Sequence, residues 1–141
     1  MAQSTVGGQP DMIRQGAFDA SAIQEFQGAL AEGQAAVLTG ATDQVPFPGL
    51  VILNGANADA ATLAAPVAGA QGPGSAAGDD GKTIRIIDAS GKAHTVTTPS
   101  NKIANSKHVL TWNGTIGSNV ELEAWNGVWY PIGTPNGVTI T

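Results

Sequence analysis

The stretch from Val120 to Tyr130 constrains the fold more than any other part of the chain. Val120-Glu121-Leu122-Glu123-Ala124-Trp125 alternates apolar and polar residues, the period of a strand with one face buried. Asn126-Gly127 follows, and then Val128-Trp129-Tyr130. A two-residue Asn-Gly loop favours a type I′ turn, because both central residues need positive φ. That turn pairs Trp125 with Val128 and Ala124 with Trp129. Val120, Leu122, Ala124 and Trp129 then share a core face, and Glu121, Glu123 and Tyr130 share the other.

Further strands flank this hairpin. Leu50-Val51-Ile52-Leu53 is a short apolar run ended by Asn54-Gly55. Thr62-Leu63-Ala64 is weaker and stops at Pro66. The segment 69–81 holds five glycines and one proline and reads as a loop. Thr83 to Ile87, the loop Asp88-Ala89-Ser90-Gly91 and Ala93 to Thr97 read as a second hairpin with a longer loop. Val109 to Trp112 and Val138 to Thr141 complete the set. Strands at this spacing predict an all-β fold, a small antiparallel sandwich or barrel.

The N-terminal part differs. Ser21 and Gln24 have capping-box spacing. Ile23, Phe26 and Leu30 recur at helical intervals, and Gly33 is a stop. The spacing predicts one short helix over 21–32, too poor in apolar residues to stand without a partner. The first fifteen residues look arm-like. The expected organisation is an arm with a short helix over 1–48 and a β domain over 49–141.

Charge and composition exclude several functions. The net charge is −5, with −7 in residues 1–81 and +2 in residues 82–141. No basic cluster supports counterion release from nucleic acid. The chain has no cysteine, which excludes thiol chemistry and Cys-ligated metals. No apolar run approaches membrane-spanning length, and the N-terminus lacks the pattern of a signal peptide. The expected place of synthesis is therefore the cytoplasm of the cell that makes it.

Motifs with chemistry are few. Ala76 to Thr83 matches a relaxed phosphate-loop pattern. It follows a Gly/Pro loop, precedes a strand, and carries Asp79 and Asp80 where phosphate would sit. Asp79-Asp80-Gly81 lacks the spaced oxygens of a calcium loop and reads as an acidic turn. His94 and His108 fall on separate strands, with no third metal ligand indicated and no Asp or Glu taken as near them. The serines near His94 have no nucleophile-elbow context. Glu121 and Glu123 project from one strand face and read as a solvated or interfacial pair. No catalytic, cofactor-binding or metal residues are assigned. Trp112, Trp125, Trp129 and Tyr130 read as core and subunit-contact residues, with a sugar-stacking platform as the other use of such a cluster.

The order of turns and strands resembles a known family. Asn57 to Pro66 leads to Gly78-Asp79-Asp80-Gly81-Lys82, then to Ala93-His94-Thr95-Val96-Thr97-Thr98. Leu110-Thr111-Trp112, Val120-Glu121-Leu122, Asn126-Gly127-Val128-Trp129 and Asn136-Gly137-Val138 follow. Over about residues 49–141 this resembles the head decoration, or cement, proteins of tailed bacteriophages. The resemblance implies a non-enzymatic virion protein without cofactor, usually a homotrimer on the capsid surface. Such proteins clamp the major capsid protein where capsomers meet. Expected contact residues are Ile23, Phe26, Leu30, Trp112, Trp125 and Tyr130. A tail-fibre or spike module that binds a host glycan through the tryptophans is the alternative, and a small glycan hydrolase a third.

Overall fold

Alternating side chains sort the β region into two sheets with one core between them. The structure is a computed structural model that describes residues 34–70 and 78–141. Contacts divide the chain into two units, Met1–Gln34 and Ala35–Thr141. The second unit holds ten strands among the described residues. They are β1 (Ala36–Leu38), β2 (Gln44–Val45), β3 (Gly49–Leu53), β4 (Ala60–Leu63) and β5 (Thr83–Asp88). Then come β6 (Thr95–Thr97), β7 (Val109–Trp112), β8 (Asn119–Trp125), β9 (Val128–Pro131) and β10 (Val138–Ile140).

The first sheet has the order β9-β8-β5-β3-β1 and the second β10-β7-β6-β4-β2. From β1 to β6 the chain changes sheet after every strand. The pairs β1/β2, β3/β4 and β5/β6 are therefore three successive coils. Equivalent strands stack in parallel, Val37 against Ile52 against Ile87 in one sheet and Ala60 against Thr95 in the other. Antiparallel strands complete each sheet: β8 and β9 beside β5, β7 and β10 beside β6.

Three expectations are corrected here. The sheets are mixed, not antiparallel. Thr83 to Thr97 is not a hairpin, because β5 and β6 lie in different sheets. Neither sheet closes into a barrel, since each has two edge strands. The sandwich stands. The sheets also begin at Ala36, ahead of the boundary expected at 49. No helix occurs among the described residues. The helix expected over 21–32, with Ile23, Phe26 and Leu30, lies outside them.

The core draws on both inner faces. Val51, Leu53, Ile84, Ile86, Val120, Leu122, Ala124 and Trp129 come from one sheet. Val45, Ala61, Leu63, Val96, Leu110 and Trp112 come from the other. Each aliphatic side chain so buried contributes about 1.5–3 kcal/mol relative to exposure. Phe47 packs edge-on against Trp129 at 5.0 Å between ring centroids. The Trp129 indole N–H donates to the Ala64 carbonyl at 3.0 Å. The outer edge of β9 is covered in part by residues 102–104, where the Trp129 N–H donates to the Lys102 carbonyl and the Ala104 N–H to the Trp129 carbonyl, both at 2.9 Å.

The β8–β9 hairpin has the register read from the sequence, Trp125 opposite Val128 and Ala124 opposite Trp129. Asn126 and Gly127 have φ of 49° and 77°, as a type I′ turn requires. Gly137 has φ of 67°, and a Cβ there would run into the Ser118 side chain. Gly127→Val puts a branched side chain at positive φ and should cost about 1 kcal/mol or more. Gly137→Ala adds a steric clash to the same strain and should cost more. Thermal melts should show the order wild type, Gly127→Val, Gly137→Ala, with about 4 °C or more lost at the first step.

Candidate functional site

At one end of the sandwich the chain passes between sheets through segments 39–43, 54–59, 89–94 and 113–118. A segment that leaves a sheet loses its ladder partners, so its backbone groups need others. Four polar residues are buried at or beside these crossings: Asp59, Asp88, His94 and Ser118, none more than 3% exposed.

Asp59 and His94 stand one coil apart at equivalent positions, each just before its strand. The Asp59 N–H donates to His94 Nδ1 at 2.9 Å, and the Thr95 N–H donates to the Asp59 carbonyl at 2.9 Å. Because Nδ1 accepts, the ring carries its proton on Nε2. Nε2 lies 2.8 Å from Ser90 Oγ, so the ring donates there. Ser90 Oγ in turn donates to Asp88 Oδ1 at 3.2 Å. The same oxygen accepts the N–H groups of Ser90 and Gly91, each at 2.8 Å.

Aspartate, histidine and serine thus meet, but wired against nucleophilic catalysis. A hydrolytic triad needs Nδ1–H on the carboxylate and a free Nε2 lone pair to take the serine proton. Here Nδ1 is occupied by a backbone N–H and Nε2 carries the hydrogen. The serine gives its own hydrogen to Asp88, and His94 has no exposed surface. The cluster ties two coils together and does not activate Ser90. Asp88, only six positions before His94, corrects the expectation that no acid lies near this histidine. The signal that was available is Asp88-Ala89-Ser90-Gly91, a run that forms an Asx-type turn on the Asp88 carboxylate. His108 is exposed.

The Asp59 carboxyl is raised above its ordinary value, chiefly by desolvation. Its Oδ1 receives the Asp43 N–H at 3.4 Å. Its Oδ2 is buried with no hydrogen-bond partner, as is Asp88 Oδ2.

Asp79 and Asp80 make contacts within the chain. Asp79 accepts the Val67 N–H and the Lys82 ammonium, both at 2.7 Å. Lys82, and then the Val67 N–H, hold the Asp79 carboxyl below its ordinary value. Asp80 accepts the Gly69 N–H at 3.2 Å and the Asn126 N–H at 2.7 Å. The two carboxylates clip the segment after β4 to the entry of β5 and to the β8–β9 turn.

The aromatic set divides. Trp112 and Trp129 are inside the core, Trp112 donating to the Ser118 carbonyl at 3.2 Å. Trp125 and Tyr130 point outward, 53% and 41% exposed, at diagonal positions on the hairpin. A four-ring sugar platform is therefore not formed. Glu121 and Glu123 are exposed on the same face, as the alternation predicted. Among the described residues no three His, Cys, Asp or Glu side chains gather as metal ligands. Two open grooves beside β2, of about 370 and 280 Å³, are lined by residues such as Phe47, Leu63, Thr97 and Pro99, none of them titratable. Comparison with family models finds no match, and comparison with curated proteins finds none either.

His94→Ala strands the buried Asp59 N–H and opens a cavity. The first effect costs about 1–3 kcal/mol, and the cavity adds to it. Ser90→Ala removes one link and should cost about 1 kcal/mol. Urea midpoints should fall in that order.

Proposed function

We propose that the protein is a non-enzymatic structural component of a tailed-bacteriophage head. It decorates the capsid surface at capsomer junctions and braces the major capsid protein. It acts as a homotrimer, uses no cofactor, and binds neither nucleic acid nor membrane.

The observation that carries this reading is the difference between the two outer faces. The second sheet shows solvent Thr62, Thr95, Thr97, Thr111 and Thr139, a wettable β-branched surface. The first sheet shows Val37, Ile52 and Ile87 in one cross-strand row at one corner. At the opposite corner stand Trp125, Tyr130 and Ile132, each more than 40% exposed. Arg85, Glu121 and Glu123 lie between. Exposed apolar groups with aromatic anchors and a charged strip mark a surface that meets another protein. The hairpin carrying Trp125 and Tyr130 is held from behind by buried Leu122, Ala124 and Trp129, so little ordering entropy opposes docking. The closed wiring of the His94 cluster supports the non-enzymatic part.

Glycan binding by a tail module is the second reading, and exposed Trp125 and Tyr130 favour it. Two of the four rings in that cluster are exposed for it.

The test mixes the full chain with expanded, undecorated heads and counts bound copies after sedimentation. The expected result is saturable binding at a fixed number of copies. Trp125→Ala should weaken it about tenfold or more, as an aromatic anchor does. Deleting residues 1–33 should abolish it while the β unit keeps its melt. Absence of head binding by the full chain overturns the proposal. Retained binding by the truncated form leaves the β unit, with Trp125, as the sole anchor.

A further inference from the structure

The first coil is held to the second by the short β1/β3 and β2/β4 ladders and by backbone bonds at the crossings that extend them. The Asn54 N–H donates to the Leu38 carbonyl at 2.8 Å, Ala60 to Ala41 at 2.9 Å and Thr62 to Asp43 at 2.8 Å. Strands β1 and β2 are short and lie at the sheet edges. Between these coils sit two carboxyl groups. Asp43 closes the first crossing, its Oδ2 accepting the Gly40 N–H at 2.7 Å. Asp59 closes the second, 2% exposed, with Oδ2 unpartnered.

A buried carboxylate oxygen without a donor beside a second carboxylate is costly, because repulsion and lost hydration are only partly offset. One proton removes both penalties. It neutralises Asp59 and gives it a donor that Asp43 can accept. We propose that Asp59 is a proton-gated latch on the first coil, closed when its buried carboxyl carries a proton that it can donate toward Asp43 and loosened when it is ionised.

The groups facing Asp59 are few. Asp43 faces it from the first crossing and His94 from the third, where Asp88 stands 3.4 Å beyond the ring at Nε2. The segment 113–118 brings no charge. Desolvation, with repulsion from Asp43, outweighs the Asp43 N–H and His94, so Asp59 holds its proton above the ordinary value of 3.8. The folded state then binds more protons than the unfolded chain just above that value. The latch strengthens as pH falls toward 3.8 and is weakest once pH has risen above the titration of folded Asp59.

Amide hydrogen exchange on the full chain, corrected for intrinsic rates, tests this at neutral pH and about pH 4. In the wild type, protection of the Asn54, Ala60 and Thr62 amides should rise several-fold on acidification, while amides of β7 and β8 stay level. Asp59→Asn carries a permanent donor. It should show the acid level of protection at both pH values. No pH dependence at the three amides overturns the latch, and so does an equal rise in every strand. If Asp59→Asn does not fold, the Asp59 side-chain carbon is titrated by NMR in the wild type. A midpoint above 3.8 supports the latch, and one at or below it overturns it.

Discussion

The hydrogen bond from the Asp59 N–H to His94 Nδ1 is the interaction on which the arrangement turns. A chain that alternates between two sheets must break its ladder at every crossing, and the freed backbone groups need other partners. Side chains have to replace the missing strand. The Asp43 carboxylate takes the Gly40 N–H, Asp88 takes two N–H groups of its own crossing, and Asn113 takes the Thr115 N–H and the Ser118 hydroxyl. His94 reaches from one coil to the next through its side chain, as Asp59 does toward Asp43. Its ring needs an acceptor on Nδ1 and a donor on Nε2, which fixes one tautomer. An apolar residue there would leave the Asp59 N–H orphaned, and a lysine would offer only donors.

Part of this was legible in the sequence and part was not, for definite reasons. The β8–β9 hairpin could be read to its register because strict alternation sets the faces and Asn126-Gly127 sets the turn. The coil could not. Asp88-Ala89-Ser90-Gly91 has the same composition whether the chain turns back along its own sheet or crosses to the other. The strands on either side alternate equally well in both cases. The choice is made by packing between residues far apart in sequence, such as Leu53 beside Asp88 and Ala60 beside Thr95. Strands β1 and β2 were missed because three residues and two residues are too short for a period to register.

The candidate site was hidden for a related reason. His94 was placed inside a strand, where its neighbours in space would be cross-strand residues. It stands one position before β6, on the crossing itself, so Asp88 and Ser90 fold back onto it. The aromatic residues carried a similar ambiguity. Trp125 and Trp129 lie on opposite faces of one hairpin, as the register required. Trp112 was left undecided by its own strand, because Val109-Leu110-Thr111-Trp112 fits either orientation until Leu110 is known to face the core.

Once these roles are assigned, one surface stands out among the described residues. Asp88, Ser90 and His94 are consumed by the crossings, and Asp79 and Asp80 by the clip at the hairpin. The threonines give the second sheet a face that water satisfies. With only 12% of residues charged, long-range steering contributes little, and contact must come from shape and apolar area. The outer face of the first sheet offers both, with its aromatic corner on a hairpin packed rigidly from behind. A surface of that kind suits attachment to a repeating partner. For the homotrimer proposed above, each contact can be modest, because linked copies bind together.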